Sequence, residues 1–151
     1  MKELWLFLVV LLVAGGGDVV TSHYATYSEA ANDHLFGRGW LPEFIPSSSF
    51  NITTSNNLDR NQSEGEFSFP VAETDSFVSR LVPYSGRSAP FSDFEKLVNR
   101  RKAQGYTLYE FAGRESVWVF FLNREKGHIY YRMWLVYNRI DPPEEIGIRV
   151  S

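Results

Sequence analysis

Cysteine is absent from the 151 residues. That one absence excludes a lipid-modified cysteine at a leader junction, a disulfide scaffold, thiolate metal sites and a cysteine nucleophile. An excess of one charge is lacking too, since 15 Lys and Arg stand against 18 Asp and Glu for a formal net charge of -3. A phosphate backbone calls for a basic footprint, so nucleic acid is not an expected partner. Nor is there an apolar run of bilayer-spanning length. Leu4 to Ala14 supplies eleven apolar or small residues before Gly15-Gly16-Gly17-Asp18, and counting on to Val20 reaches only 17, where a spanning helix needs about 20. Eleven, with Lys2 ahead, is the length of a secretory leader's apolar core. Residues 1–17 are therefore expected to be a signal peptide, with an inner-membrane anchor retained through residues 4–20 as the alternative. Either way the remainder is expected to be exported, periplasmic or otherwise extracytoplasmic, and to meet membrane only through this segment. Nothing repeats along the chain, which excludes solenoids and propellers.

What the sequence has in quantity is aromatic residues, 16% of the chain, with 12 Phe, 8 Tyr and 4 Trp. They fall mostly in short β-like runs, which points to an aromatic core built on a sheet. Without its leader the chain keeps roughly 130 residues, enough for one domain with a core of its own. That single domain is expected over residues 23–151.

Ser28 as cap and Gly37 as stop predict a short helix from about Glu29 to Phe36. Pro42 and Pro46 forbid an ordinary helix across 38–46 and make it a stiff, aromatic-bearing connector. Phe50 to Thr54 and Glu66 to Phe69 read as short strands on either side of a polar, turn-rich stretch, Ser55 to Gly65. Thr74 to Leu81 is a candidate helix and Val82 to Pro90 a loop. From Asp93 to Gln104 every helix signal agrees: Ser92 and Glu95 as a capping box, Phe94, Leu97 and Val98 on one face, three basic residues in the last turn, then Gly105. Strands follow at 106–111, 116–123 and 127–138, the last two joined as a hairpin through Arg124-Glu125-Lys126. A further short edge strand is expected at 146–150. The fold class is thus α+β: a small antiparallel sheet, made of a C-terminal meander of three strands plus short N-terminal strands, packed with two or three short helices.

Val117 to Leu122 is apolar on both faces, the mark of a central strand covered on each side. The strand after it alternates. Ile129, Tyr131, Met133, Leu135 and Tyr137 make one face core; His128, Tyr130, Arg132, Trp134 and Val136 make the other a half-buried surface or the floor of a binding groove.

At Tyr24, Tyr27 and Ala30, then Gly39-Trp40-Leu41-Pro42 with Ile45-Pro46 and Ser48, then Ile52 and Asn57-Leu58-Asp59 with Asn61, the chain resembles a group of exported or membrane-anchored bacterial proteins without an assigned activity. The group carries a Tyr-rich start, a G-W-[LI]-P-x-x-[LI]-P segment and a D-x-N turn. The resemblance runs over residues 24 to 69 and departs at Ser48-Ser49, where the group carries Ser-Ala. It implies a bacterial envelope setting and no particular reaction.

No residue set meets the demands of a reaction. Asn57, Asp59 and Asn61 alternate like the first half of a calcium loop, but Gln62 and Ser68 stand where that loop needs Gly and Glu, so an Asx-type turn is the better reading. His23, His34 and His128 lack metal-ligand spacing, and the serines around Gly86 lack a nucleophile elbow. No catalytic residue, metal or cofactor is expected. Glu110 and Glu115 near a strand end are candidate acid–base groups whose plainer reading is solvated turn carboxylates. Trp40, Pro42, Phe44 and Pro46 form either an exposed platform or a staple over the core, and the staple is favoured because large aromatics are usually buried. The expected role is a non-enzymatic module that binds an envelope protein, contacting it through Trp40, Phe44, Tyr130, Arg132 and Trp134. The competing reading is a small-ligand or hydrolytic domain that uses His128, Arg132 and Glu110 in a common pocket.

Overall fold

A computed structural model describes residues 18–136 of the chain. The leader and the strand expected at 146–150 lie outside the described residues.

Seven strands form one antiparallel sheet. In chain order the elements are β1 (Val19–Thr26), α1 (Tyr27–Asn32), β2 (Phe50–Asn57), β3 (Gln62–Ser68), a single 3-10 turn (Val71–Glu73) leading into α2 (Thr74–Val78), β4 (Val82–Pro83), α3 (Phe94–Ala103), β5 (Thr107–Ala112), β6 (Ser116–Asn123) and β7 (His128–Leu135). Across the sheet the order is β1-β2-β3-β7-β6-β5-β4. The fold is α+β as the residue pattern predicts; β5 and β6 sit within a residue of their expected bounds, while β7 starts one residue late and ends at Leu135, the last two residues expected for it, 137 and 138, lying outside the described residues.

The N-terminal half departs more. β1 has no counterpart in the sequence reading, and Val19 and Val20, which the hydrophobic count took in, are its first residues. The helix expected from Glu29 begins earlier, at Tyr27. Thr26 rather than Ser28 is its cap: the Thr26 hydroxyl accepts from Glu29 N–H at 3.2 Å, and the Glu29 carboxylate accepts from Ala25 N–H at 2.8 Å. The helix then ends at Asn32 instead of Phe36, and His34 takes a left-handed conformation with φ 59°. The polar stretch 55–65 is mostly strand. Only 58–61 turns, closed by Asn57 Oδ1 accepting from Arg60 N–H at 3.1 Å and by Asn61 at φ 50°, which is the Asx-type turn.

α3 keeps its expected face, with Phe94, Leu97 and Val98 buried, and Gly105 ends it at φ 86°. Its capping box is not formed, because Asp93 occupies the cap position and no side chain caps the first turn.

β6 is buried on both faces and divides the interior in two. On one face Trp118, Phe120 and Leu122 join Ile52, Phe67, Phe69, Phe77, Ile129, Tyr131 and Met133 in the larger core. Leu41 and Ile45 are buried there, and Trp40 and Phe44 pack half-buried against it, so the proline-bearing connector is a staple. Phe77 is its hub, with ring centroids 5.3 Å from Phe120, 5.4 Å from Phe69, 6.0 Å from Phe44 and 6.1 Å from Phe67. On the other face Val117, Val119 and Phe121 pack with Leu108 and Trp134 beneath Phe94, Leu97 and Val98 of α3.

Candidate functional site

α3 packs on β5, β6 and β7, and among the described residues no helix covers β1, β2 and β3 on that face of the sheet. The residues on that half are polar and exposed or half-buried: Thr21 and His23 on β1, Thr53 and Ser55 on β2, Glu64 and Glu66 on β3. The registers put Thr21, Ser55, Glu64 and Arg132 in one row across four strands, and His23, Thr53, Glu66 and Tyr130 in the next. Where the bare half meets α3 there is an open cleft of about 280 Å³, lined by Glu64, Glu66, Tyr130 and Arg132 from the sheet and Arg100 and Arg101 from the helix.

Each wall is fixed by a specific contact. Arg132 and Glu64 are directly opposite each other on β7 and β3, and Arg132 Nε meets Glu64 Oε2 at 2.7 Å. The other end of the same guanidinium reaches Asp93 Oδ2 at 3.7 Å and lies 4.9 Å from the Phe91 ring. Arg101 lies flat on Tyr130, 3.5 Å from the ring centroid, with Tyr106 at 5.6 Å. His128, two residues before Tyr130 on β7, holds Glu66 from beside the cleft. Its Nε2 is 3.2 Å from Glu66 Oε2 and its Nδ1 is 3.0 Å from the Tyr106 hydroxyl. Burial pushes the His128 pKa down, and the Arg101 and Lys126 charges add to that against the opposing pull of Glu66. Tyr106 is pushed up, again mainly by burial. The result is a helix wall that is basic and a sheet floor that is acidic, with an aromatic stack between them.

The structure separates the residues singled out from sequence. Tyr130 and Arg132 line the cleft. Trp134, expected at a contact surface, is only 3% exposed. Its ring sits 5.9 Å from Phe91 and 5.9 Å from Phe94, because α3 covers this end of the mixed face, so it is core. Phe44 packs edge-on to Phe111 at 4.8 Å. Trp40 borders a second hollow of about 290 Å³, with Arg38, Glu115 and Leu135. His128, Arg132 and Glu110 do not meet. Glu110 is buried, bonded to the Ser85 hydroxyl at 3.1 Å and within 3.8 Å of Arg87 Nε. It shares a row with Arg132, but β6 and Val119 stand between them.

Sequence reading missed Arg100, Arg101, Glu64 and Glu66. Two signals were present: Leu97 and Arg101 share a helical face four residues apart, and Glu64 and Glu66 alternate onto one side of a strand.

The molecule is thus an α+β domain with an antiparallel sheet, closed on one face and half open on the other. Residues 18–68, the run from just before β1 to the end of β3, match the family model described as the YbbD head domain, a bacterial domain without an assigned role. This is about a third of the chain, and it overlaps the stretch that carries the sequence resemblance. The matched run supplies the bare half of the sheet, while α3 and β7 lie outside it. No curated protein and no solved structure matches the chain.

Proposed function

We propose that this is an exported, non-enzymatic protein-binding module of the bacterial cell envelope, and that the cleft beside α3 is its contact surface. The observation that carries this reading is the cleft's construction. It is open and charged, with a basic wall facing an acidic floor, and its side chains are held in place by ion pairs and stacking. Small-molecule sites are mostly enclosed and apolar. A rigid surface with Arg and Tyr at its centre and charge at its rim is what protein partners use. Tyr130 and Arg132 are the central contacts, and Arg100 is the rim charge with no ion-pair partner among the described residues. Trp40 is a secondary contact at the other hollow. The leader-like residues 1–17 support export.

The test is affinity capture from the envelope of a bacterium that makes the protein, comparing the full wild-type chain with Arg100→Glu. An envelope protein retained by wild type and depleted in the variant is the expected result. Nothing enriched by wild type, or identical retention by both, overturns the reading.

A further inference from the structure

The two edges of the sheet are not equivalent. β4 has two residues and one of them is Pro83, which cannot donate to a ladder, so that edge is blunted. β1 has eight residues with no charge and no proline among them, and Val19 and Val20 are 47% and 42% exposed. An edge of that length and neutrality lacks the devices that keep other strands from pairing with it.

Ladder alternation identifies which backbone groups of β1 are already used. The Asp18 carbonyl accepts from Leu58 N–H at 3.0 Å. In an antiparallel pair every second residue bonds to the neighbour. Val20, Ser22 and Tyr24 therefore bond to β2, opposite Asn56, Thr54 and Ile52. Val19, Thr21 and His23 turn their N–H and C=O the other way, where no described strand pairs with them. The row stops at Ala25, whose N–H is held by the Glu29 carboxylate at 2.8 Å. Thr21 and His23 are themselves kept in strand geometry from the β2 side, by side-chain bonds to Ser55 at 3.2 Å and Thr53 at 2.8 Å. The free stretch is thus short, regular and already extended, so a guest strand meets backbone groups that need no reordering.

The geometry points to β1 as the acceptor for an extended segment of another protein, which adds to the sheet as one more strand through Val19, Thr21 and His23. The charges at the two ends say which segment. Asp18 stands at the start of the free row and Glu29 at its end, and neither has an ion-pair partner among the described residues. A guest with an uncharged, β-forming centre and Lys or Arg on both flanks fits both ends. A second copy of this chain fits poorly. Pairing β1 with itself about a two-fold at Thr21 sets Val19 against His23, and it brings Asp18 of each copy toward Glu29 of the other, acid against acid. The inference shares with the proposed function only the premise of a protein partner. The edge adjoins the near side of the cleft, where Ser55 and Thr53 bond to Thr21 and His23, but the guest takes the outward backbone groups of β1, with β2 and β3 between it and Tyr130 and Arg132 on β7.

Three synthetic peptides test it against the full ¹⁵N-labelled chain. All share an alternating Thr-Val centre; one has Lys flanks, one Glu flanks, and one Lys flanks with its β1-facing amides N-methylated. The Lys-flanked peptide is expected to shift the Val19, Thr21 and His23 amide signals and to bind roughly tenfold more tightly than the Glu-flanked one. N-methylation is expected to abolish the shifts, a result that leaves the protein untouched and so does not depend on any variant folding. Thr21→Pro, at an edge position whose N–H faces away from β2, is expected to do the same. The inference is overturned if the Lys-flanked peptide shifts none of the three amides, if its shifts fall in the cleft instead, or if the two flanks bind equally. A concentration-dependent dimer that Thr21→Pro abolishes would also overturn it, assigning the edge to a second copy.

Discussion

The two faces of the sheet are finished by different means. One is covered over most of its width without a long helix: α1 has six residues, α2 has five, and the rest of the cover is the connector that buries Leu41 and Ile45. The other is sealed by one ten-residue helix, α3, and only across β5, β6 and β7. A stiff, proline-bearing segment can follow a twisted sheet and plug it locally, at low entropic cost because its backbone is already restricted. A helix is straight and about as wide as two strand spacings, so one helix leaves the remaining strands bare. The candidate cleft exists because of that mismatch.

The largest effect is expected of Phe77→Ala. Phe77 is 2% exposed at the centre of the larger core, and the truncation is expected to cost about 4 kcal/mol, read from urea unfolding. Trp134→Ala comes next, at about 3 kcal/mol by the same measurement. A loss near zero would show that the α3 face is not a core and would return Trp134 to the surface. The smallest effect is electrostatic. Burial holds the His128 pKa below the ordinary histidine value, so the fold favours the neutral ring. The stability this gives is present above that ordinary value and is lost as pH falls through it toward the folded pKa. Melting curves between about pH 7.5 and pH 5 should therefore show wild type losing more stability than His128→Gln. Equal losses would mean that the Glu66 contact compensates fully for protonation.

The meander was legible because its strands carry their own signals. Val117 to Leu122 is apolar at every position, and Ile129 to Leu135 alternates, so period and burial agree. α3 was legible for the same reason. β1 was not, since Thr21, Ser22, His23 and Thr26 give it no apolar alternation; it is a strand because β2 offers a ladder. The Ser55–Gly65 stretch looked like loop for a related reason. One face of β2 and β3 there is bare and polar, and the other buries the hydrogen-bonded set Asn56, Ser63 and Tyr131, with Ser63 Oγ 2.6 Å from Asn56 Oδ1 and 3.2 Å from the Tyr131 hydroxyl. Polar residues satisfied inside a core read from sequence as polar residues outside it.

By itself the sequence determined the α+β class, the C-terminal meander, the register of α3 and the absence of cysteine chemistry, because local periodicity and composition are properties of neighbouring residues. Only the tertiary structure decided that Trp134 is core while Tyr130 and Arg132, on the same strand face, line a cleft. The three share one alternation, and what separates them is where α3 ends over the sheet. The open edge of β1 was decided in the same way: a strand's free backbone groups depend on which neighbour it has, and no residue of β1 encodes that alone.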